Sequence, residues 1–496
     1  MEGVCFILSY GYISYDDLGE GMGEKTAKIL GVIALALVLR LVVINQSYWL
    51  DEAIGLEASR DFGYPGIVSD FLKSDNHPPL YYLNLKLWNG LFGFSEAASR
   101  SLSVLYGIGT VFVTYLIGLE LFGKGRTAII AAVFLATSQF HIYYSQEARM
   151  YTMAGFFVAL AFYAFLKIMR AGTHWLVFSL SLLAMMFTDY MPVFMMPVFW
   201  LLAIINKKDK AWWAKFVACH VSLVLLGLLW MPILQVQLKG GAWLVSVLPG
   251  WTSVAGGATL KQLALVWMKF VLGRVSLINK TTYYLLIFVA SIPALYLLAK
   301  SVSRKSARVW LWFVLPLGLG FVASFVFPAF VYFRFVYVLP ALYLLLASGV
   351  DRTKNWREWL IVILLVNAIG VSIYYLDDNQ QREQWREAVA YVGEKIGQDE
   401  IVLFSYPDPF TPFRWYWGEK GSAFGAFEGL DSTEDQTRIR TGELVSDKAG
   451  VYYFEYLSDI TDPKGVVEAR IAKEMRLVGE NRDFAGVGGI YYWRRE

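Results

Sequence analysis

The chain has 496 residues, 57% of them hydrophobic and 17% charged, with 44 Lys and Arg against 41 Asp and Glu. A mean hydropathy of +0.46 and a charged fraction below the roughly 25% of soluble domains exclude an ordinary soluble protein. The net charge of +3 is too small for a nucleic-acid binder, and two cysteines, Cys5 and Cys219, make no disulfide framework.

Met1 to Tyr10 is short, lacks a basic region and is followed by Asp16, Asp17 and Glu20, so it does not read as a cleaved signal peptide. Gly21 to Lys25 is an equally good start. Residues 1–27 are expected to form a cytoplasmic tail. A spanning helix needs about 20 mostly apolar residues. Apolar runs at 28–46, 101–121, 127–145, 151–169, 175–190, 192–206, 213–233, 281–299, 309–328, 335–350 and 357–376 predict about eleven such helices. The segment 258–273 is apolar but carries Lys261 and Lys269, with Arg274 just beyond, and reads as an interfacial helix.

Basic residues fall in alternate loops: Lys124/Arg126, Arg170, Lys207/Lys208/Lys210, Arg304/Lys305/Arg308 and Arg352/Lys354/Arg357. The positive-inside rule places these in the cytoplasm, the N-terminus with them, and everything after Tyr375 outside. Charge density rises from Asp377 onward. Gln384 to Val392 has helical periodicity, and Ile401–Phe404, Gly450–Phe454 and Gly489–Trp493 read as buried strands. The expected architecture is an α-helical polytopic membrane protein, 28–376, with outer-face juxtamembrane helices, followed by a small extracytoplasmic α/β domain, 377–496.

Ionisable residues gather at the outer face. The loop after the first span holds Asp51-Glu52 and Asp75-Asn76-His77-Pro78-Pro79. Adjacent helical residues do not share a face, so one carboxylate can enter a cavity and serve as a base while the other pairs locally. The alternative is an acidic pair that only favours a helix N-terminus. The two prolines fix the turn and position Asp75 and His77; a purely structural turn reads the same. Glu147 and Arg149, in the turn Ser145 to Tyr151, must be paired or line a wet cavity. Arg334 is suited to clamping a phosphate, or to snorkelling. Arg40, one to two turns below the outer end of its span, must have a partner. Such a set, above hydrocarbon, suits a lipid-phosphate substrate: arginines for phosphate, a carboxylate for a proton.

The run from Arg40 to Tyr151 resembles the polyprenyl-phosphate-sugar-dependent glycosyltransferases of the GT-C superfamily, in particular the protein O-mannosyltransferases and aminoarabinose transferases (glycosyltransferase family 39-like). The residues that carry the resemblance are Arg40, Asp51-Glu52, His77-Pro78-Pro79-Leu80, Phe94-Ser95-Glu96 with Arg100 and Ser103, and Glu147-Ala148-Arg149-Met150. Arg334-Phe335 with Pro340 is similar to a later Arg-Tyr motif. Thr188-Asp189-Tyr190 stands where many relatives have Thr-His-Tyr. Gln384 to Ala388 resembles prokaryotic members with an outer C-terminal domain.

The resemblance implies a GT-C-like catalytic domain and an inverting transfer of a sugar from a polyprenyl-phosphate donor to a hydroxyl acceptor at the outer membrane face. It implies Asp51 as general base. Glu52, His77 and Glu147 would position acceptor or sugar, and Arg40, Arg149, Tyr151 and Arg334 would contact the donor phosphate. No cofactor is required; a divalent metal held by Asp51 and Glu147 is compatible with the family but not demanded by it. The rival readings are a lipid or polysaccharide transporter, against which stand the lack of repeated halves and the rim position of the charges, and a non-catalytic receptor with the tail as binding module.

Overall fold

The computed structural model describes residues 21–418 and 420–496. Cys5 and residues 1–20 of the expected tail lie outside the described residues, and residues 21–27 already belong to the helix Gly21–Leu41. Each of the eleven apolar segments carries helix. Among the described residues, six helices are long and apolar enough to cross a membrane. A seventh is added if Gly125–Thr137 and Gln139–Ser145, bent by 61°, form one span. Trp175–Thr188, Met191–Ile205 and Ala307–Ala323 are shorter apolar helices.

Local chemistry sets the helix ends. Ser95 caps Glu96–Phe122 by accepting from Ala98 N at 3.3 Å, and Gly123, at φ +64°, closes it in a left-handed turn. Asp209 caps Lys210–Val247 by accepting from Trp212 N at 2.7 Å. That helix has 38 residues, about 57 Å at 1.5 Å per residue, and so is far longer than the expected 213–233. A hydrocarbon core is about 30 Å thick. The surplus stands beyond one end of the bundle, where Gln237 bonds the carbonyls of Leu72 and His77 at 2.7 and 3.0 Å.

The helix expected at 258–273 forms over Leu260–Leu272. Its Lys269 is buried rather than interfacial: Nζ donates to Val275 O at 2.7 Å and Tyr283 Oη at 3.3 Å.

The two ends of the bundle separate the two sets of loops. At one end the basic loops contact one another: Lys124 and Arg126 pair with Asp351, Arg170 pairs with Glu120, and Arg352 bonds Val302 O. At the other end lie the helices Leu50–Asp61 and Leu80–Phe92, the 146–150 turn and the whole C-terminal segment.

That segment is a five-stranded mixed sheet of order β2-β1-β3-β5-β4. The strands are β1 (Glu400–Phe404), β2 (Ala423–Gly425), β3 (Gly450–Phe454), β4 (Arg476–Asn481) and β5 (Ile490–Arg494). β1 runs parallel to β2 and β3; β5 is antiparallel to β3 and β4. Val402 and Phe404 pack on Trp385, Ala388 and Val392 of the helix Trp385–Lys395. Ile401 and Leu403 face Val445, Val467 and Ile471 on the other side. Both faces of the parallel part are covered, which is why its strands are continuous apolar runs. The helix Thr411–Trp417 docks this unit on the bundle: Arg414 pairs with Glu57 at 2.7 Å, and Tyr416 Oη donates to Glu96 at 2.8 Å while accepting from Tyr48 N at 2.8 Å.

Candidate active site

The acidic pair opens the helix Leu50–Asp61, where negative charge is favoured. Its two members diverge. Glu52 turns inward and accepts from Arg100 Nε at 2.8 Å and Nη2 at 2.6 Å, and from Ala148 N at 2.7 Å. The other donors of Arg100 go to the carbonyls of Ile44, Gln46 and Ser47. Burial alone raises the Glu52 pKa, but the Arg100 charge and hydrogen bonds, with Arg382 and Ala148 N–H, outweigh it and hold the carboxyl below its ordinary value. Every oxygen of Glu52 is taken by the protein. Glu52 ties the first loop to the helix Glu96–Phe122 and to the 146–150 turn.

Asp51 keeps 36% of its side chain exposed. Its nearest cation is Arg149 Nη2 at 3.6 Å. Arg149 Nη1 donates to Tyr82 Oη at 3.1 Å, and Nη2 lies 3.4 Å from His77 Nε2. His77 Nδ1 is 2.7 Å from Asp75 Oδ1, and Tyr82 donates to Asp75 Oδ2 at 3.0 Å. Burial raises the Asp75 pKa, yet His77, Arg149 and the Tyr82 bond more than reverse this and leave it lowered. The structure thus brings Asp51, His77 and Arg149 into one chain of contacts, with Asp75 and Tyr82 completing it.

Glu147 lies on the opposite side of the 146–150 turn. Its carboxyl is buried beside Arg382, with Nη1 2.8 Å from Oε2. Burial raises its pKa despite Arg382, and Glu52 adds to the rise. Arg382 stacks over the Tyr143 ring at 3.6 Å, and Arg274 over the same ring at 4.4 Å. Arg274 and Arg334 have neither a carboxylate partner nor a side-chain hydrogen bond among the described residues. They border one aromatic group. Tyr151 packs edge-on against Tyr144 and Phe333 at 5.3 Å each, and Phe140 meets Tyr332 at 6.0 Å. Arg334 directly follows Tyr332 and Phe333 in the chain.

Arg40 is elsewhere. Its guanidinium is fully buried and spent on Ser145 Oγ at 3.1 Å, His141 Nδ1 at 2.7 Å and the carbonyls of Ala36 and Ala136. Gly107 permits this approach, since a Cβ there would collide with Ser145 Oγ and stand 3.3 Å from Arg40 Nε. The partner that Arg40 was expected to need is supplied within the bundle. The divergent Asp189 accepts from Met191 N at 3.0 Å and closes a helix end. Among the described residues no three His, Cys, Asp or Glu side chains gather as a metal site. Asp51 and Glu147 each face an arginine.

Arg274, Arg382 and Glu383 border the same group of residues. In the sequence Arg274 is distinguished only by its place after an apolar helix. The other two lie where charge density rises after the last apolar run. The Glu383 carboxyl accepts from Trp385 Nε1 at 2.7 Å and Tyr456 Oη at 3.1 Å, and the Asp51 charge acts on it.

Residues 76–234, which carry His77, Glu147 and Arg149, match the family described as dolichyl-phosphate-mannose-protein mannosyltransferase. Among curated proteins nothing matches the chain. Two solved structures of ArnT from Cupriavidus metallidurans share the architecture. The one bound to undecaprenyl phosphate superposes with a TM-score of 0.56 and the apo one with 0.54. Both are 12% identical, and each comparison covers 94% of this chain and 98% of that one. The fold is therefore that of ArnT, with the mannosyltransferase-family match confined to residues 76–234.

Proposed function

We propose that the protein is an inverting membrane glycosyltransferase that moves a sugar from a polyprenyl-phosphate donor to a hydroxyl acceptor at the outer membrane face. The observation that carries this reading is the division of labour in the acidic pair. Glu52 is consumed by Arg100, whereas Asp51 stays accessible beside Arg149.

In this reading Asp51 takes the proton of the acceptor hydroxyl as its oxygen bonds to the anomeric carbon. The bond from that carbon to the phosphate oxygen breaks, and its electron pair leaves with the polyprenyl phosphate. Arg149, itself held beside His77, keeps Asp51 in place, and Glu147, buried against Arg382, fixes the turn that carries Arg149. Arg274 and Arg334, the guanidiniums without carboxylate partners, receive the phosphate, where fixed positive charge opposes the charge that develops on the leaving group. Leu272, just before Arg274, lines an apolar groove of about 310 Å³ with Leu286, Val289, Pro293, Trp359 and Val366. A prenyl tail fits such a surface. The match over residues 76–234 and the ArnT-like fold support the donor class.

The test is incubation of the purified protein with a panel of polyprenyl-phosphate sugars and candidate hydroxyl acceptors. Release of free polyprenyl phosphate by the native chain but not by Asp51→Asn supports the proposal. Release by neither refutes the donor class, and equal release by both refutes the base.

A further inference from the structure

The turn 146–150 sits at the centre of the site and is gripped from several sides. Gln146 Nε2 donates to Arg40 O at 3.0 Å. Ala148 N donates to Glu52. Ser103 Oγ donates to Arg149 O at 3.2 Å, and Arg149 N donates to Glu147 O at 2.7 Å. The grip on Glu147 itself comes from outside the helical bundle, from the segment that leads into the sheet. Arg382 places Nη1 2.8 Å from Glu147 Oε2 and donates through Nη2 to Tyr143 O at 3.0 Å, with its guanidinium flat on the Tyr143 ring. Both partners are almost wholly buried, at 3% and 1% side-chain exposure. The backbone of Arg382 is anchored in turn, its N–H donating to Gln46 Oε1 at 2.7 Å. The next residue, Glu383, bonds Ser47 Oγ through its carbonyl and Tyr456 and Trp385 through its carboxyl.

We infer that Arg382 is a positioning residue of the site, fixing the Glu147–Arg149 turn on which the Asp51 contact rests. The segment joining bundle to sheet thereby becomes part of the catalytic apparatus. The physical reason is twofold. A buried carboxylate without a partner is costly, and Arg382 is the ion-pair partner of Glu147. The planar guanidinium, clamped between a ring and a carboxylate, also permits one geometry, which a flexible ammonium does not. A shift of Glu147 is passed through two peptide units to Arg149, and so to Asp51.

The inference rests on the glycosyl-transfer reading, and its test separates the two. The full-length chain is compared with Arg382→Gln, Arg382→Lys, Glu147→Gln and the double variant Glu147→Gln/Arg382→Gln, by steady-state transfer and by thermal unfolding. Arg382→Gln is expected to lower kcat about 100-fold, the size of effect a misplaced reacting group produces. KM for the donor is expected to stay within about 3-fold, because Arg382 does not touch the phosphate. Arg382→Lys is expected to recover about 10-fold of the lost turnover by restoring charge without the planar group that lies over Tyr143. The double variant is expected to melt above Arg382→Gln, because it no longer buries an unpaired carboxylate. Native kcat in Arg382→Gln, or a loss that tracks the unfolded fraction, would overturn the inference. If the native chain turns over no donor, the transfer reading fails and the melting series decides alone. A double variant no more stable than Arg382→Gln would then sink the role of Arg382.

Discussion

The Glu52 carboxylate and the Arg100 guanidinium form a two-bond fork at 2.8 and 2.6 Å, with neither side chain more than 1% exposed. One residue earlier, Asp51 is a third exposed. Two neighbouring carboxylates therefore have opposite duties, and substitution should separate them. Glu52→Gln leaves Arg100 as a buried charge without its counterion, which typically costs about 3–5 kcal/mol. Asp51→Asn removes a carboxylate at nearly equal volume. The expected outcome is a protein that melts early for Glu52→Gln and one that melts normally but transfers no sugar for Asp51→Asn. Thermal unfolding beside a transfer assay checks both.

The donor phosphate should depend on Arg274 and Arg334. Hydrogen bonds to a charged group contribute about 1.5–3 kcal/mol, so Arg274→Ala and Arg334→Ala should each weaken donor binding by about 10- to 150-fold. Arg149→Ala should instead reduce turnover, since its donors are committed to Tyr82, His77 and Asp51. Donor titration with the three variants and the Arg274/Arg334 double variant is the measurement. A strongly non-additive double variant shows a shared phosphate.

Glu383 should make stability depend on pH. Burial, helped by the Asp51 charge and opposed by Trp385, Tyr456 and Arg274, pushes its carboxyl up from 4.5 to about 7. The unfolded chain ionises first as pH rises, so the contribution is fully present below about 4.5 and is lost as pH passes 7. A shift of this size is worth at most about 3 kcal/mol, and about 2 kcal/mol for a side chain with partial solvent access. Glu383→Gln keeps an acceptor for Trp385 and should match the native protein near pH 4.5 but exceed its stability by about 2 kcal/mol at pH 8. Glu52, held low, acts in the opposite sense: its stabilisation is present above about 4.3 and disappears as acid protonates it. Denaturant unfolding from pH 4.5 to 8 reads Glu383, and its extension below about pH 4.3 reads Glu52.

The sheet should lie on the same side of the membrane as Asp51, opposite the basic loops. A cysteine at Asp435, whose side chain is 82% exposed, introduced with Cys5 and Cys219 replaced by alanine, should react with a membrane-impermeant thiol reagent in intact cells. Labelling only after lysis would reverse the orientation drawn from loop charge.

Much of the framework was legible because its causes are local. Runs of about 20 apolar residues become helices in lipid, where every backbone polar group must be satisfied within its own segment. Ile401–Phe404 and Gly450–Phe454 announced strands because both faces of β1 and β3 are covered. The charged residues at one rim announced a site because such groups are expensive beside hydrocarbon. Which of them faces the reaction was not legible. Asp51 and Glu52 are indistinguishable until Arg100 and Ala148 claim one of them. Arg40 resembles a phosphate ligand until His141 and Ser145 close around it, and Arg382 is one charge among many until the sheet carries it to Glu147. Local periodicity and hydropathy determined the apolar helices and the strands β1, β3 and β5, but not β2, β4 or the helix Thr411–Trp417. The pairing of buried charges depends on contacts between segments far apart in the chain, and only the tertiary structure decided which carboxylate is buried in an ion pair and which stays exposed.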